Sequence, residues 1–304
     1  YVDQDSSLQD EVAEKIAGIY ACGFDFLYFD GSENANPPCT VNISLSQYRC
    51  VNACTARAGR APLFTEGCAK SHFGWHFQSG ANAFDKFGPE IFKQKIIEYP
   101  HAAAQRLAKD FTRVDFGWWG CWPAQLDGPP SAKEGLFRPG NRTVGTQPDM
   151  WEYGTSKAAA FDCPATMQLS LDRMKKNRRM DDLLETIRRW EDVRARRWLT
   201  PEQKELLKNP AKEFHLLLDG KGGYELVEWR QLDVAGGRWT PVRAFVHEKD
   251  GRRVVTYWHV ADKARLVLPD ELPVLEAENM KTWESDLSET EITRAFAAAK
   301  IEIF

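Results

Sequence analysis

Two carboxylates follow short apolar runs that have the composition of buried strands. Asp30 ends the run 24–30, "FDFLYFD", and Glu66 lies near the end of the run 61–67, "APLFTEG". The carboxyl ends of neighbouring parallel strands meet at one edge of a sheet, where side chains face a common cleft. We therefore expect Asp30 and Glu66 to line one site.

Paired carboxyl groups at such an edge predict a definite chemistry. Cleavage of a glycosidic bond uses one carboxyl group as nucleophile or base and a second as proton donor. A separation of about 5 Å predicts retention of configuration, and about 6.5–9.5 Å predicts inversion. The alternative is that Asp30 and Glu66, each followed by a glycine, are ordinary turn residues.

Three further candidates lie in the loops after these strands. Glu33 is placed to bind a sugar hydroxyl. Trp75 and His76 are expected to contact substrate from the loop 71–85, or else to pack within it. His72 and His76 are four residues apart, but the glycine and aromatic content there disfavours a helix. No metal site is predicted.

Two adjacent tryptophans, Trp118 and Trp119, end a third apolar run at 113–120. Neighbouring strand residues face opposite ways, so we expect one ring to line the cleft and the other to pack beneath the helices. The sequence does not determine which of the two rings lines the cleft. Glu152 opens the next helix, where it either reaches the cleft or simply favours the helix N-terminus. Asp115 is expected to be structural or a partner of the site.

The elements that must position these residues alternate along the chain. Strands are predicted at 24–30, 61–67, 113–120 and 165–170. Helices are predicted at 8–22, 45–58, 89–109 (interrupted near Pro100), 149–161 and 180–198, followed by a short helix that Thr200 caps. This alternation predicts an α/β fold with a parallel sheet. No glycine-rich phosphate loop follows these strands, which favours a (β/α)₈ barrel. Four strands are half a barrel, so we predict its C-terminal half, with the N-terminal half upstream or on another chain.

The pattern changes after residue 210. Short alternating runs and the hairpin signal at Asp250-Gly251 predict antiparallel strands. We therefore predict two domains, the second half of a (β/α)₈ barrel at 1–210 and a small antiparallel β-sandwich at 211–304.

Composition narrows the classes of partner. The net charge of -4 over 304 residues gives no reason to expect nucleic acid, and no apolar run is long enough for a membrane span. The seven cysteines include no C-x-x-C pair, which disfavours a structural zinc site. Several of the eleven tryptophans lie in polar, glycine-rich segments. Exposed rings in such segments suit stacking on sugars.

The order of parts resembles polysaccharide-active glycoside hydrolases that have a (β/α)₈ barrel followed by a β-sandwich. The stretch "FLYFDGSE" is similar to the strand that carries the nucleophilic Asp in α-L-fucosidases, and in style to α-galactosidases and endo-α-N-acetylgalactosaminidases. The resemblance implies that Asp30 is the nucleophile, that no cofactor is needed, and that the protein is secreted or periplasmic. The role of Glu66 as acid/base follows from its position alone.

These observations predict a retaining, exo-acting glycoside hydrolase that acts on a plant, algal or host glycan through Asp30 and Glu66. The alternative is a non-catalytic carbohydrate-binding protein on the same scaffold. A third interpretation is a structural or docking part of a larger assembly.

Overall fold

The structure is a computed structural model that describes residues 6–30, 39–67, 80–82, 88–107, 113–131, 140–219, 221–232, 242–249, 252–260 and 301–302. The chain divides into two compact units. Unit 1 comprises Tyr1–Asp85 and Tyr99–Gly117, and unit 2 comprises Lys86–Glu98 and Trp118–Phe304.

The described helices match the predicted order. They are α1 (Leu8–Tyr20), α2 (Cys39–Ala58), α3 (Phe92–Ile96), α4 (Ala102–Leu107), α5 (Pro148–Ala160), α6 (Leu171–Lys176), α7 (Met180–Ala195) and α8 (Pro201–Leu207). A π-helical turn at Ile97–His101 contains Pro100, which has no N–H to donate. This turn accounts for the predicted interruption of the third helix, and α6 was not predicted.

Strands in the described ranges form three sheets. They are β1 (Phe26–Phe29), β2 (Phe64–Gly67), β3 (Gly80–Asn82), β4 (Arg113–Asp115), β5 (Trp119–Gly120), β6 (Met167–Gln168), β7 (Glu213–Leu218), β8 (Tyr224–Gln231), β9 (Val242–Lys249), β10 (Arg252–His259) and β11 (Ile301–Glu302). The sheets have the orders β1-β2-β3-β4, β5-β6 and β11-β10-β9-β8-β7. The first two sheets are parallel throughout.

The predicted count of four parallel strands is wrong, because the described ranges contain six. β3 lies in the stretch 71–85 that the sequence analysis assigned to a loop. The predicted strand 113–120 is two strands in different sheets. It breaks after Asp115, whose Oδ1 accepts a hydrogen bond of 2.8 Å from the Gly117 N–H and so replaces the ladder with a side-chain turn. That further barrel strands lie outside this chain stays a prediction.

Helices α1 and α2 pack against one face of β1. Leu27 of β1 packs against a cluster formed by Ala17 and Tyr20 of α1 and Cys54 of α2. Side chains alternate along a strand, so Phe26 and Tyr28 face the other way. Phe26 and Tyr28 pair in register with Phe64 and Glu66 of β2, which share that second face.

In unit 2 the helices and the antiparallel sheet share a core. Ala159 and Ala160 of α5 and Trp190 and Val193 of α7 cluster with Phe214 and Leu216 of β7. The predicted boundary between residues 210 and 211 therefore falls inside unit 2, and a separate C-terminal domain stays a prediction. β7–β10 are antiparallel as predicted, whereas β11 is parallel to β10. A second sheet that would complete a sandwich is also still a prediction.

In the described ranges, no helix has both the length and the apolar character that a bilayer span requires.

Candidate active site

Glu66 lies on β2, in register with Tyr28 of β1 and Gly80 of β3. Its side chain is only 5% exposed. Among the described residues, its Oε1 atom has no hydrogen-bond partner. Burial of a carboxyl oxygen without a hydrogen-bond partner strongly disfavours the ionised form of the carboxyl group.

Asp115 is the charged group that most raises the pKa of the Glu66 carboxyl group, after burial itself. It lies two residues beyond Arg113, which pairs with Gly80, so Asp115 and Glu66 share a face of the sheet. Gly80 has no side chain, which leaves room for Glu66 to reach across β3. We call this face, with Tyr28, Glu66 and Asp115, the acidic face.

The electrostatics of this pair favour a proton on Glu66. Burial, then the charge of Asp115 and its hydrogen bond, raise the pKa of Glu66 from 4.5 to about 8. Asp115 is 3% exposed, and the Gly117 N–H donates to its Oδ1 atom, which favours the ionised form of Asp115. The pair therefore combines a proton-bearing carboxyl group with a fixed carboxylate.

Asp30 follows the last residue of β1 and is exposed. β1 and β2 are neighbouring parallel strands, as predicted. Asp30 lies two residues beyond Tyr28, so strand alternation assigns it to the acidic face. From strand spacing and rise, its Cα atom is about 8 Å from the Cα atom of Glu66. The catalytic roles of Asp30 and Glu66 stay predictions.

Aromatic rings lie on the same face, nearer the start of the strands. The rings of Phe26 and Phe64 stack with centroids 5.2 Å apart, and Tyr28 lies 6.5 Å from Phe26. Phe26 is 44% exposed. These rings are not among the residues predicted from the sequence, although strand alternation from Asp30 back through Tyr28 to Phe26 assigns them to this face.

Glu33, Trp75 and His76 lie outside the described residues. Their predicted contacts with substrate stay predictions.

Trp118 and Trp119 belong to unit 2, and they differ in burial. Trp119 is fully buried, packs edge-on against Phe92 at 5.4 Å and lies 6.2 Å from Trp151. Trp118 is half-buried. Trp119 is therefore the core member of the pair, and Trp118 is the member that can still meet a ligand. A substrate contact by either ring stays a prediction.

Glu152 is buried within unit 2, at 3% exposure. Its Oε1 atom accepts hydrogen bonds from Trp190 Nε1 at 2.9 Å and from the Leu216 N–H at 3.3 Å. His215 Nδ1 lies 2.9 Å from its Oε2 atom. These contacts favour the structural alternative for Glu152, because each of its oxygens is already bound by the protein.

The described ranges contain no group of three or more His, Cys, Asp or Glu side chains placed to hold a metal ion.

Comparison with protein-family models finds no match, and comparison with curated proteins finds none. Among solved structures, the chain is similar to Abp, a GH27 β-L-arabinopyranosidase from Geobacillus stearothermophilus, with 12% identity and a TM-score of 0.42 over 86% of this chain and 52% of that one. It is also similar to a variant of that enzyme in complex with arabinose, with 12% identity and a TM-score of 0.38 over 84% of this chain and 50% of that one. The chain spans about half the length of both.

Proposed function

We propose that this chain carries the catalytic carboxyl groups of a retaining, exo-acting glycoside hydrolase, with Asp30 as the nucleophile and Glu66 as the acid/base. One observation carries the proposal: Glu66 is a buried carboxyl group, its pKa raised to about 8 by burial and by Asp115, on the strand next to the one that Asp30 follows. Retaining hydrolysis of a glycosidic bond needs one protonated carboxyl group and one ionised carboxyl group.

The two environments suit the two roles. Glu66, buried and proton-bearing, donates its proton to the glycosidic oxygen as the bond to the leaving group breaks. Asp30, exposed at the strand end, attacks the anomeric carbon and forms a glycosyl ester. Glu66, now ionised, then takes a proton from a water molecule that cleaves this ester. The second step restores both carboxyl groups and retains the configuration.

The proposed substrate is a plant, algal or host glycan. The exposed ring of Phe26, stacked on Phe64, offers a surface for the apolar face of a sugar. The proposal adds Glu33, Trp75 and His76 as further contacts. It also includes export to the cell exterior or periplasm and further barrel strands from outside this chain.

The proposal is tested with nitrophenyl glycosides of α-L-fucose, α-D-galactose, N-acetyl-α-D-galactosamine and β-L-arabinopyranose. Asp30→Asn is expected to abolish release of nitrophenol, and Glu66→Gln to lower kcat by about 10²–10⁴-fold. Asp25→Asn is the matched control, because Asp25 is an exposed carboxylate at the opposite end of β1 that pairs with Arg60. Unchanged turnover in Asp30→Asn contradicts the assignment.

The second candidate function is non-catalytic carbohydrate binding, which the stacked and partly exposed Phe26–Phe64 pair favours. It predicts saturable binding of the same sugars by calorimetry without turnover, and weaker binding in Phe26→Ala. Turnover that depends on Asp30 contradicts it.

A further inference from the structure

We propose that Asp115 is a positioning residue that keeps the transferable proton on Glu66 between catalytic cycles. This inference rests on the proposed function, and it adds a third carboxyl group to the site. It starts from the position of the two side chains, which are both buried on one face of the sheet, on either side of β3. Two neighbouring carboxylates that are buried repel each other, so one member of the pair favours its protonated form.

The environments of the two carboxyl groups determine which of them carries the proton. Asp115 Oδ1 already accepts the Gly117 N–H at 2.8 Å, an interaction that stabilises a carboxylate. The Oε1 atom of Glu66 is buried with no hydrogen-bond partner among the described residues, a setting that stabilises the neutral acid. Glu66 therefore holds the proton, and Asp115 is the ionised member of the pair.

Strands β1–β4 bring charges of both signs to the acidic face. β1 contributes Tyr28 and, at its end, the acidic Asp30, whose negative charge also favours a neutral Glu66. β3 contributes Gly80 opposite Glu66, and β4 contributes the cationic Arg113, which pairs with Gly80 in the backbone ladder. A cation at this position favours an ionised carboxylate, and Asp115, which accepts the Gly117 N–H, is the member of the pair that is suited to be ionised. α1 and α2 contribute no charge to this face, because they pack against Leu27 on the other one.

The arrangement has a consequence for both halves of the proposed reaction. When Glu66 gives its proton to the leaving group, it becomes a carboxylate beside the fixed charge of Asp115. Repulsion between the two like charges then drives Glu66 to recover a proton from the attacking water. The proton count closes over the cycle, and Asp115 keeps its charge throughout.

Asp115→Asn is the decisive variant. Asparagine keeps the Oδ1 acceptor for the Gly117 N–H, so the turn after β4 is preserved, but it removes the negative charge beside Glu66. A purely structural Asp115 predicts no other change. We expect the titration midpoint of Glu66, followed by NMR with ¹³C-labelled glutamate and assigned by loss of the signal in Glu66→Gln, to fall by at least about one pH unit. An unchanged midpoint overturns the inference.

The titration separates failure of this inference from failure of the proposed function. A lowered midpoint in Asp115→Asn without turnover of any glycoside supports the pair and contradicts the hydrolase. Turnover with an unchanged midpoint supports the hydrolase and contradicts the pair. If Asp115→Asn does not fold, the infrared difference spectrum between wild type and Glu66→Gln decides. A protonated-carboxyl band of Glu66 at neutral pH supports the inference, and its absence overturns it.

Discussion

Glu66 and Asp115 lie on one face of the β1–β4 sheet, on either side of β3, at a position where that strand carries Gly80. Both side chains are buried, and Asp115 is fixed by the Gly117 N–H. This relationship places a proton on Glu66 at neutral pH, beside the strand that ends at Asp30. The proposed chemistry depends on that difference between two neighbouring carboxyl groups.

Glu66→Gln is expected to change the pH dependence of stability. Burial and Asp115 raise the pKa of Glu66 from 4.5 to about 8, so the folded protein holds a proton that the unfolded chain releases. As the pH rises from about 4.5 to about 8, the free energy of unfolding of wild type therefore falls relative to that of Glu66→Gln. The expected fall is on the order of 2 kcal/mol. Urea unfolding at about pH 4 and about pH 9 measures the difference. Glu14→Gln, a change at an exposed carboxylate, is the control, and a difference independent of pH contradicts the raised pKa.

Asp149 is expected to be essential for the stability of unit 2. Burial raises the pKa of this carboxyl group, but the charges and hydrogen bonds of Arg243 and Lys93 outweigh burial and hold the pKa below its usual range. Arg243 donates two hydrogen bonds to Asp149, at 2.8 and 2.6 Å, and Lys93 Nζ lies 2.7 Å from Oδ2. Asp149→Asn removes the carboxylate that pairs with Arg243 and one of the two carboxylates that pair with Lys93, which keeps Glu213.

The expected loss for Asp149→Asn is about 3–5 kcal/mol in the free energy of unfolding, measured in urea. The stabilisation requires the ionised form, so in wild type it is present above the pKa of this carboxyl group in the unfolded chain and is lost as the pH falls below that value, through the lower pKa in the folded protein. Glu205→Gln removes an exposed partner of Lys208 and is the control. Equal losses for the two variants are the contradicting outcome.

Glu152→Ala is expected to lower stability rather than activity. It leaves the Trp190 Nε1 and Leu216 N–H donors buried without their acceptor, at a cost of about 1–3 kcal/mol for each group. Thermal unfolding measures this effect. At a temperature where the variant is folded, kcat and KM on an active glycoside are expected to match wild type. A raised KM in the folded variant would instead make Glu152 a substrate contact.

Two glycine substitutions are expected to have opposite effects. A Cβ atom at Gly154 in α5 would lie 2.7 Å from ring atoms of the buried Trp119, so Gly154→Ala costs about 1–3 kcal/mol. A Cβ atom at Gly18 in α1 meets nothing closer than 4.0 Å, so Gly18→Ala stabilises its helix by about 0.5–1 kcal/mol. Chemical denaturation measures the change in the free energy of unfolding for each variant. A Gly154→Ala variant that is as stable as wild type, or more stable, contradicts the packing of Trp119.

The sequence predicts the elements better than the faces by which they pack. In α1, the apolar spacing of Leu8, Val12, Ile16 and Ile19 predicts the helix correctly. However, Leu8 and Ile19 are 43% and 63% exposed, whereas Ala13, Ala17 and Tyr20 are buried. Small side chains allow α1 to approach α2 closely, and helical periodicity alone does not reveal which neighbour a helix will meet.

The candidate site shows the same limit. Asp30 and Glu66 are recognisable because each follows an apolar run. The pairing of Glu66 with Asp115 crosses β3, whose three residues, Gly80–Asn82, carry no apolar pattern. The burial of Glu152 depends on Trp190 and His215, which are distant in the sequence. Contacts of this kind are set by topology, which local patterns do not encode.

Trapping of a covalent glycosyl intermediate tests the central claim most directly. The protein is incubated with glycosyl fluorides that carry fluorine in place of the hydroxyl group next to the anomeric carbon, in the sugars of the nitrophenyl series, and then digested for mass spectrometry. The account predicts a glycosyl adduct on Asp30 in wild type and none in Asp30→Asn. An adduct on another carboxylate, or turnover that yields the inverted anomer, contradicts the account.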